Sequence, residues 1–345
     1  MKKDIRLVFN KIMQGMAQAY GVDDMTHKFT VTPSLEQTLQ DQITEQSSFL
    51  GMVHTQVVDH GEGETIFGGV SGSVTSTTNT KAGNKRSPRN VLGLTGSQYK
   101  CNKVHSDVFI HYDDLDTWTP AFKDFHQRYR KWVQQAIAND RLIIGWNGTS
   151  YAVDSDIDAN PLMQDCNIGW LQTLRDQKPE NVVTEIEAAS GVVNIGSGDN
   201  SDYANLDMAV HDALQLIPEH LRKNLVVLLG SELLATDKAK LYEAHGATPS
   251  EKQAIELQAV NKTYAGLSAY TPEFFPTRGI MITSLKNLVI MVQKGTWRRH
   301  VEDSSESEAI IDWNGRRECF GISVLEACVY VESTNVKLYD GTDWY

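Results

Sequence analysis

The sequence predicts an α+β chain dominated by one long helix and one long β-hairpin. Three observations carry this. Strand-like alternation of apolar and polar residues runs over residues 57–77 and resumes over 98–112, with a basic, turn-rich stretch between. From Thr119-Pro120 to the glycines of GWNG (145–148), apolar residues keep to one helical face. Beyond residue 200, short apolar strands alternate with amphipathic helices.

At its N-terminus, Ile5, Val8, Phe9, Ile12, Met13, Met16 and Tyr20 form one helical stripe, broken at residues 21–24. This is an amphipathic helix on a short tether, and it needs a partner surface. Thr32-Pro33 then starts a second helix. Its seam of Leu35, Leu39, Ile43 and Leu50 is narrow and set among glutamines, so much of it should meet solvent or another chain. The hairpin follows. GGVSGSVTSTTNT (68–80) has three glycines, no charge and no aromatic, yet Ile66, Gly68, Val70, Gly72 and Val74 share one parity. KAGNKRSPRN (81–90) forms the basic turn, and Val104, Val108, Ile110 and Tyr112 mark one face of the return strand. The outer half has too little apolar surface to pack as a core hairpin, and isolated two-stranded hairpins are marginal in water. The arm is therefore expected to be completed by a neighbour.

The long helix carries Phe122, Phe125, Tyr129, Trp132, Val133, Ala136, Ile137 and Ile144 on one face, with Lys123, Gln127, Arg130, Lys131 and Gln134 opposite. About 25 residues reach roughly 38 Å. Residues 206–217 read as a helix stopped by Pro218, 225–230 as a buried strand, and 231–243 and 249–263 as helices. Residues 279–293 read as two strands and 321–332 as a closing strand, with joints at 196–200 and 302–308.

The totals narrow the function classes. With 345 residues, 41% hydrophobic and 22% charged, the chain is an ordinary globular one. A net charge of −12 argues against a surface that broadly wraps nucleic acid. Its four cysteines are far apart without a CxxC pair, as expected of free thiols in a reducing compartment. The N-terminus lacks the continuous apolar core of a secretory signal, and no apolar run reaches the ~18 residues of a membrane span.

Candidate chemistry is sparse. Asp154, Asp156 and Asp158 occupy positions 1, 3 and 5 of a calcium loop, with Asp165 at position 12. Ala159 stands where that loop needs glycine, so a solvated acidic loop is the favoured reading. GSGDN (196–200) lacks a phosphate-binding lysine. Cys101 and His105 would share a strand face ~13 Å apart, too far to act as nucleophile and base. His111, Asp113, Asp114 and Asp116 precede a helix and suit its positive end. Asn147-Gly148-Thr149 fits a glycosylation pattern that has no meaning without a secretory signal. The basic patch of Lys81, Lys85, Arg86 and Arg89 lacks aromatics and better suits carboxylates of a neighbouring subunit than nucleic acid. No catalytic constellation or cofactor is implied.

The order of parts resembles the major capsid proteins of peduovirus-type tailed phages, which have the Hong Kong 97 fold. The resemblance rests on KFTVTPSLEQTL (28–39), STTNT (76–80), RSPRN (86–90), YKCNKVHSDVFIHYDDLDTW (99–118), IIGWNGTS (143–150) and NPLMQDCNIGWLQTLR (160–175), and more weakly on FFPTRGIMITSLKNLVI (274–290). It implies an N-terminal arm (1–54), an extended loop (55–112), a peripheral domain (113–202 and 301–345) and an axial domain (203–300). It implies a non-enzymatic virion protein that assembles in the host bacterial cytoplasm as pentamers and hexamers. The icosahedral shell would enclose double-stranded DNA without sequence-specific binding and without a membrane. Partners implied are a scaffolding protein, a maturation protease, a portal and decoration proteins. The intersubunit loop would use Val70, Gly72, Val74, Thr77, Lys81, Lys85, Arg86 and Arg89. Proteolytic processing would fall between Phe29 and Thr30, removing residues 1–29. Two rival expectations are an α/β hydrolase or small-molecule-binding domain centred on 203–300, and a shell protein of a DNA-free compartment.

Overall fold

A 14-residue strand, Ala309–Ile322, organises the larger of two main sheets in the computed structural model. The structure describes residues 3–70, 75–78, 81, 85–86, 92–121, 125–245, 263–339 and 341–345. Across this seven-stranded sheet run Phe29–Thr30, Arg298–Ser304, Ala309–Ile322, Leu288–Gln293 and His54–Val58, while Asn102–His105 and Val108–His111 also pair with the long strand. Side chains alternate along its first half: Asp312, Asn314 and Arg316 are buried, while Trp313 and Arg317 are exposed.

Helix Phe125–Asn147 is the spine, and it packs with helix Pro33–Thr44 and helix Trp170–Gln177 on the inner face of this sheet. Ile137, Ala138, Leu142, Ile144 and Trp146 are buried along it. Trp146 meets the rings of Phe49, Trp170 and Phe275 at 4.8–5.5 Å between centroids. Gly145 is required here, because a Cβ would come within 2.4 Å of the Trp170 ring. Two expectations about the spine are corrected. Pro120 does not open a helix: it lies within helix Tyr112–Ala121, which begins well before it, and residues 122–124 lie outside the described residues. Trp132 is 51% exposed, because the buried stripe has rotated toward Ile137 and Leu142.

The smaller sheet has six strands in the order Thr263–Tyr264, Leu267–Tyr270, Val226–Leu229, Ile280–Thr283, Val329–Val331 and Val182–Val183. Helix Leu206–Gln215 covers it with buried Leu206, Ala209, Val210 and Ala213. Its first turn is capped by the Asn205 side chain, which accepts from Met208 N at 2.9 Å. The segment 321–332 is not one strand. It ends the long strand, turns at Leu325–Ala327 and enters the smaller sheet as Val329–Val331. Likewise, 302–308 holds the turn of a hairpin inside the larger sheet, and the expected division at 300 falls within strand Arg298–Ser304. The helix expected over 249–263 lies mostly outside the described residues, and its last residue, Thr263, begins a strand.

The arm is shorter than its alternation suggests. Glu62–Val70 pairs antiparallel with Leu92–Lys100, from Glu62 opposite Lys100 to Val70 opposite Leu92. His54–Val58 belongs to the larger sheet, parallel to Leu288–Gln293. Residues 75–78 are exposed and lie outside any strand.

Candidate assembly surfaces

The arm leaves the larger sheet at Gly61 and returns at Cys101, whose N–H donates to the Gly61 carbonyl at 2.6 Å. Asn102 pairs with Glu318, so the next residues along, Cys101 and Cys319, face one another. Their sulfurs are 3.3 Å apart, both buried and both free thiols. Contact with Cys101 and burial push the Cys319 thiol far up. Asn102 Nδ2 donates to Asn167 Oδ1 at 2.9 Å, and Asn167 Nδ2 donates to the Glu318 carbonyl at 2.9 Å. Trp170 Nε1 donates to Val289 O at 3.0 Å, which ties the helix after the spine to the same sheet.

Below this root lies a fully buried ionic triad. Glu318 accepts from Arg141 at 2.8 and 3.0 Å and from Arg316 at 2.8 Å through both carboxylate oxygens. Burial alone would raise the Glu318 pKa, but the two guanidiniums outweigh it and hold the carboxyl at about 2. The triad links spine helix to long strand, with Glu318 one residue from Cys319, which faces the arm's return at Cys101. No third strand joins the arm's two-stranded sheet among the described residues. The root is fixed, and among the described residues no further strand of its own subunit supports the ribbon beyond it.

Of the residues expected at the arm's contact surface, Val70 ends the outgoing strand. Thr77, Lys81, Lys85 and Arg86 are exposed, while Gly72, Val74 and Arg89 lie outside the described residues. The tethered N-terminal helix, Lys3–Tyr20, finds a surface within its own chain. Arg6 pairs with Asp303 at 2.6 Å, and Arg299 bridges Asp312 and the Tyr20 hydroxyl. Phe29–Thr30 forms the edge of the larger sheet, opposite Arg299 and Arg298.

The acidic loop is built as a turn. Asp156 Oδ1 accepts from the N–H groups of Asp158 and Ala159 at 3.0 and 3.2 Å, and Asp165 Oδ2 accepts from Asp156 N at 2.8 Å. The Asp156 and Asp165 carboxylates thus brace the loop backbone, while Asp154 and Asp158 are exposed. Among the described residues, no three His, Cys, Asp or Glu side chains are placed to hold a metal ion. Asp113 and Asp114 sit in the first turn of helix Tyr112–Ala121. The cavity between the smaller sheet and helix Leu206–Gln215 measures about 20 Å³. Ligand pockets of roughly 300–1,000 Å³ are the norm, so this cavity gives the hydrolase expectation no support.

Sequence reasoning missed the ionic triad. Its signal was present: Arg141 breaks the apolar face of the spine, and Arg316 and Glu318 occupy inward positions of a strand.

Comparison with known proteins agrees with the architecture. The profile of the phage major capsid protein family, P2 type, matches residues 8–334. A capsid protein of Escherichia phage P2 is 32% identical over 346 residues, covering 97% of this chain and 96% of that one. The major capsid protein of Serratia phage KSP20 is 30% identical and covers 99% and 97%. Among solved structures, the satellite phage P4 procapsid that includes the size determination (Sid) protein matches with TM-score 0.78 and 31% identity, over 99% of both chains. The capsid of an empty GTA particle matches with TM-score 0.50 at 13% identity over 83% of this chain and 89% of that one, a likeness of fold alone. The mixed α+β architecture is thus of the Hong Kong 97 type. The chain belongs to the P2 family of phage major capsid proteins, a structural and non-enzymatic family of shell components.

Proposed function

We propose that the chain assembles as pentamers and hexamers into an icosahedral shell around double-stranded DNA, in the cytoplasm of a bacterial host. The observation that carries this is the arm: a nine-residue-by-nine-residue ribbon with no third strand among the described residues, set on a root fixed by a buried ionic triad. Laid across an adjacent subunit, residues 55–112 act as the extended loop, with Val70, Gly72, Val74 and Thr77 allowing close backbone approach. Lys81, Lys85, Arg86 and Arg89 meet carboxylates there. Residues 1–54 serve as the N-terminal arm, 113–202 with 301–345 as the peripheral domain and 203–300 as the axial domain. Scaffolding protein, portal and decoration proteins are the partners. The P4 procapsid structure includes a size determination protein, which supports assembly with accessory proteins.

A maturation protease cuts between Phe29 and Thr30. That bond is paired with Arg299 and Arg298, so the edge strand must detach before an extended-chain protease can engage it. Intact mass from mature particles tests this: the expected product begins at Thr30, and a protein still beginning at Met1 rejects it.

Negative-stain electron microscopy with light scattering, with and without co-expressed scaffold and protease, tests assembly. Rings or closed shells tens of nanometres across are expected. A monomer near 38.5 kDa under every condition would count against the proposal.

A further inference from the structure

The outward face of the larger sheet gathers positive charge on an acidic chain. Alternation and register place Arg298, Gly315 and His105 in one row, and Arg317 opposite Lys103 in the next. Lys28 reaches the same cleft, which measures about 620 Å³. Lys28, Lys103, Arg298 and Arg317 are exposed, and none has a side-chain hydrogen bond or ion pair among the described residues. One carboxylate, Asp107, lines the same cleft and accepts the N–H of Asn314 at 2.8 Å. Beyond the cations the face turns apolar. Trp313 is 37% exposed and stacked on His300, and Phe109, opposite Ile311, is 60% exposed. With these four exposed cations and one carboxylate in the cleft, the excess positive charge raises the energy of the free subunit until an anion arrives.

The same chain carries a segment of matching chemistry. In the loop after the spine, Asp154 and Asp158 are exposed, Val153 is 89% exposed and Ile157 is 60% exposed. Its turns are closed by Asp156 and Asp165, so these side chains are presented by a braced backbone and little ordering is lost on docking. No hydrogen bond or ion pair among the described residues joins this loop to the cationic face within one subunit. A phosphate backbone would match the cations, but it would leave Phe109 and Trp313 without a partner and would meet Glu302, which accepts from Trp313 Nε1.

We infer that the cationic face of one subunit receives the acidic, apolar loop 151–162 of a second copy, with Asp154 and Asp158 among Lys28, Lys103, Arg298 and Arg317, and Val153 and Ile157 against Phe109 and Trp313. This deepens the shell reading and rests on it.

Zero-length carbodiimide coupling of unsubstituted shells, made from mixed heavy- and light-isotope subunits, tests the contact directly. Amide links from Lys103, and from Lys28 in shells that still carry residues 1–29, to Asp154 or Asp158, carrying one label from each copy, are expected. In parallel, Arg298→Glu with Arg317→Glu, and separately Asp154→Arg with Asp158→Arg, should each lower shell yield at least about tenfold. The circular dichroism and melting of the subunit should not change. Combining all four substitutions should restore shells. Shells without the cross-copy links would overturn the inference, as would normal yield from either reversed pair or failure of the combined variant to recover. Retention of duplex DNA by the subunit, abolished by Arg298→Glu with Arg317→Glu, would overturn it in favour of a phosphate site. An unsubstituted chain that never forms shells fails the assembly reading itself, a result distinct from shells lacking the contact.

Discussion

The seven-stranded sheet and the two-stranded arm are both held by backbone hydrogen bonds but do not share one source of stability. The sheet's inner face is covered by the spine and by helix Trp170–Gln177, with Leu288, Ile290 and Val292 buried and the ionic triad fixed beneath. The arm has glycine at 63, 68, 69, 93 and 96. Its register sets Gly63 against Tyr99, Ile66 against Gly96 and Gly68 against Leu94. A Cβ on Gly63 would come within 2.9 Å of the Tyr99 hydroxyl. Small residues opposite large ones can specify a pairing without supplying a core. The sheet is finished within its own chain, while the arm has its register set there and no third strand among the described residues, and in the proposed shell another subunit's surface stabilises it.

The largest test of this contrast removes the arm. Shortening residues 70–92 should leave a folded subunit whose melting temperature moves by no more than ~2 °C, while shell yield falls by about two orders of magnitude. Electron microscopy and calorimetry read the two effects separately, and normal shells would erase the distinction.

Breaking the sheet side should do the reverse. Glu318→Gln leaves Arg141 and Arg316 buried without a counter-charge, and about 3–5 kcal/mol of stability should be lost in urea unfolding. The triad also sets an acid limit. Because the folded-state pKa of Glu318 is depressed to about 2 from 4.5, its contribution is fully present above pH 4.5. It is lost as pH falls from there through about 2. Acid titration of unfolding should show this loss in the unsubstituted chain, and Glu318→Gln should flatten it.

Smaller effects should follow at the helix–sheet junction. Gly145→Ala forces a methyl against Trp170 and should cost about 1–3 kcal/mol. Trp170→Phe removes the hydrogen bond to Val289 O and should cost about 1 kcal/mol. Both should leave arm-dependent assembly intact wherever the subunit remains folded.

Much of this division was legible in the residues. The N-terminal helix, the glutamine-rich helix, the spine and the ribbon all announce themselves by period, because each is a local pattern. Partners are not local. His54–Val58 reads as the start of the arm because periodicity identifies a strand but not its neighbour, and Leu288–Gln293 is far along the chain. Residues 321–332 read as one strand because both pieces are apolar, although the turn at Leu325–Ala327 sends them to different sheets. At the acidic loop, the sequence shows the spacing of the carboxylates but not that Asp156 and Asp165 are engaged by backbone N–H groups. The cationic face was hidden because Lys28, Lys103, Arg298 and Arg317 come from separate segments that only sheet register unites.

The path of the larger sheet runs from Phe29–Thr30 at one edge to His54–Val58 at the other, and Leu288–Gln293, Arg298–Ser304 and Ala309–Ile322 lie between them. During translation both borders emerge early and the middle comes last. At about 5–20 residues per second, the borders wait roughly ten to fifty seconds for the strands that join them. A ribosome that stalls before residue 288 releases a chain with two borders and nothing to hold them together. Strand order thus makes closure of the larger sheet wait on the C-terminal strands, so a chain cut short of them would present its two borders unjoined.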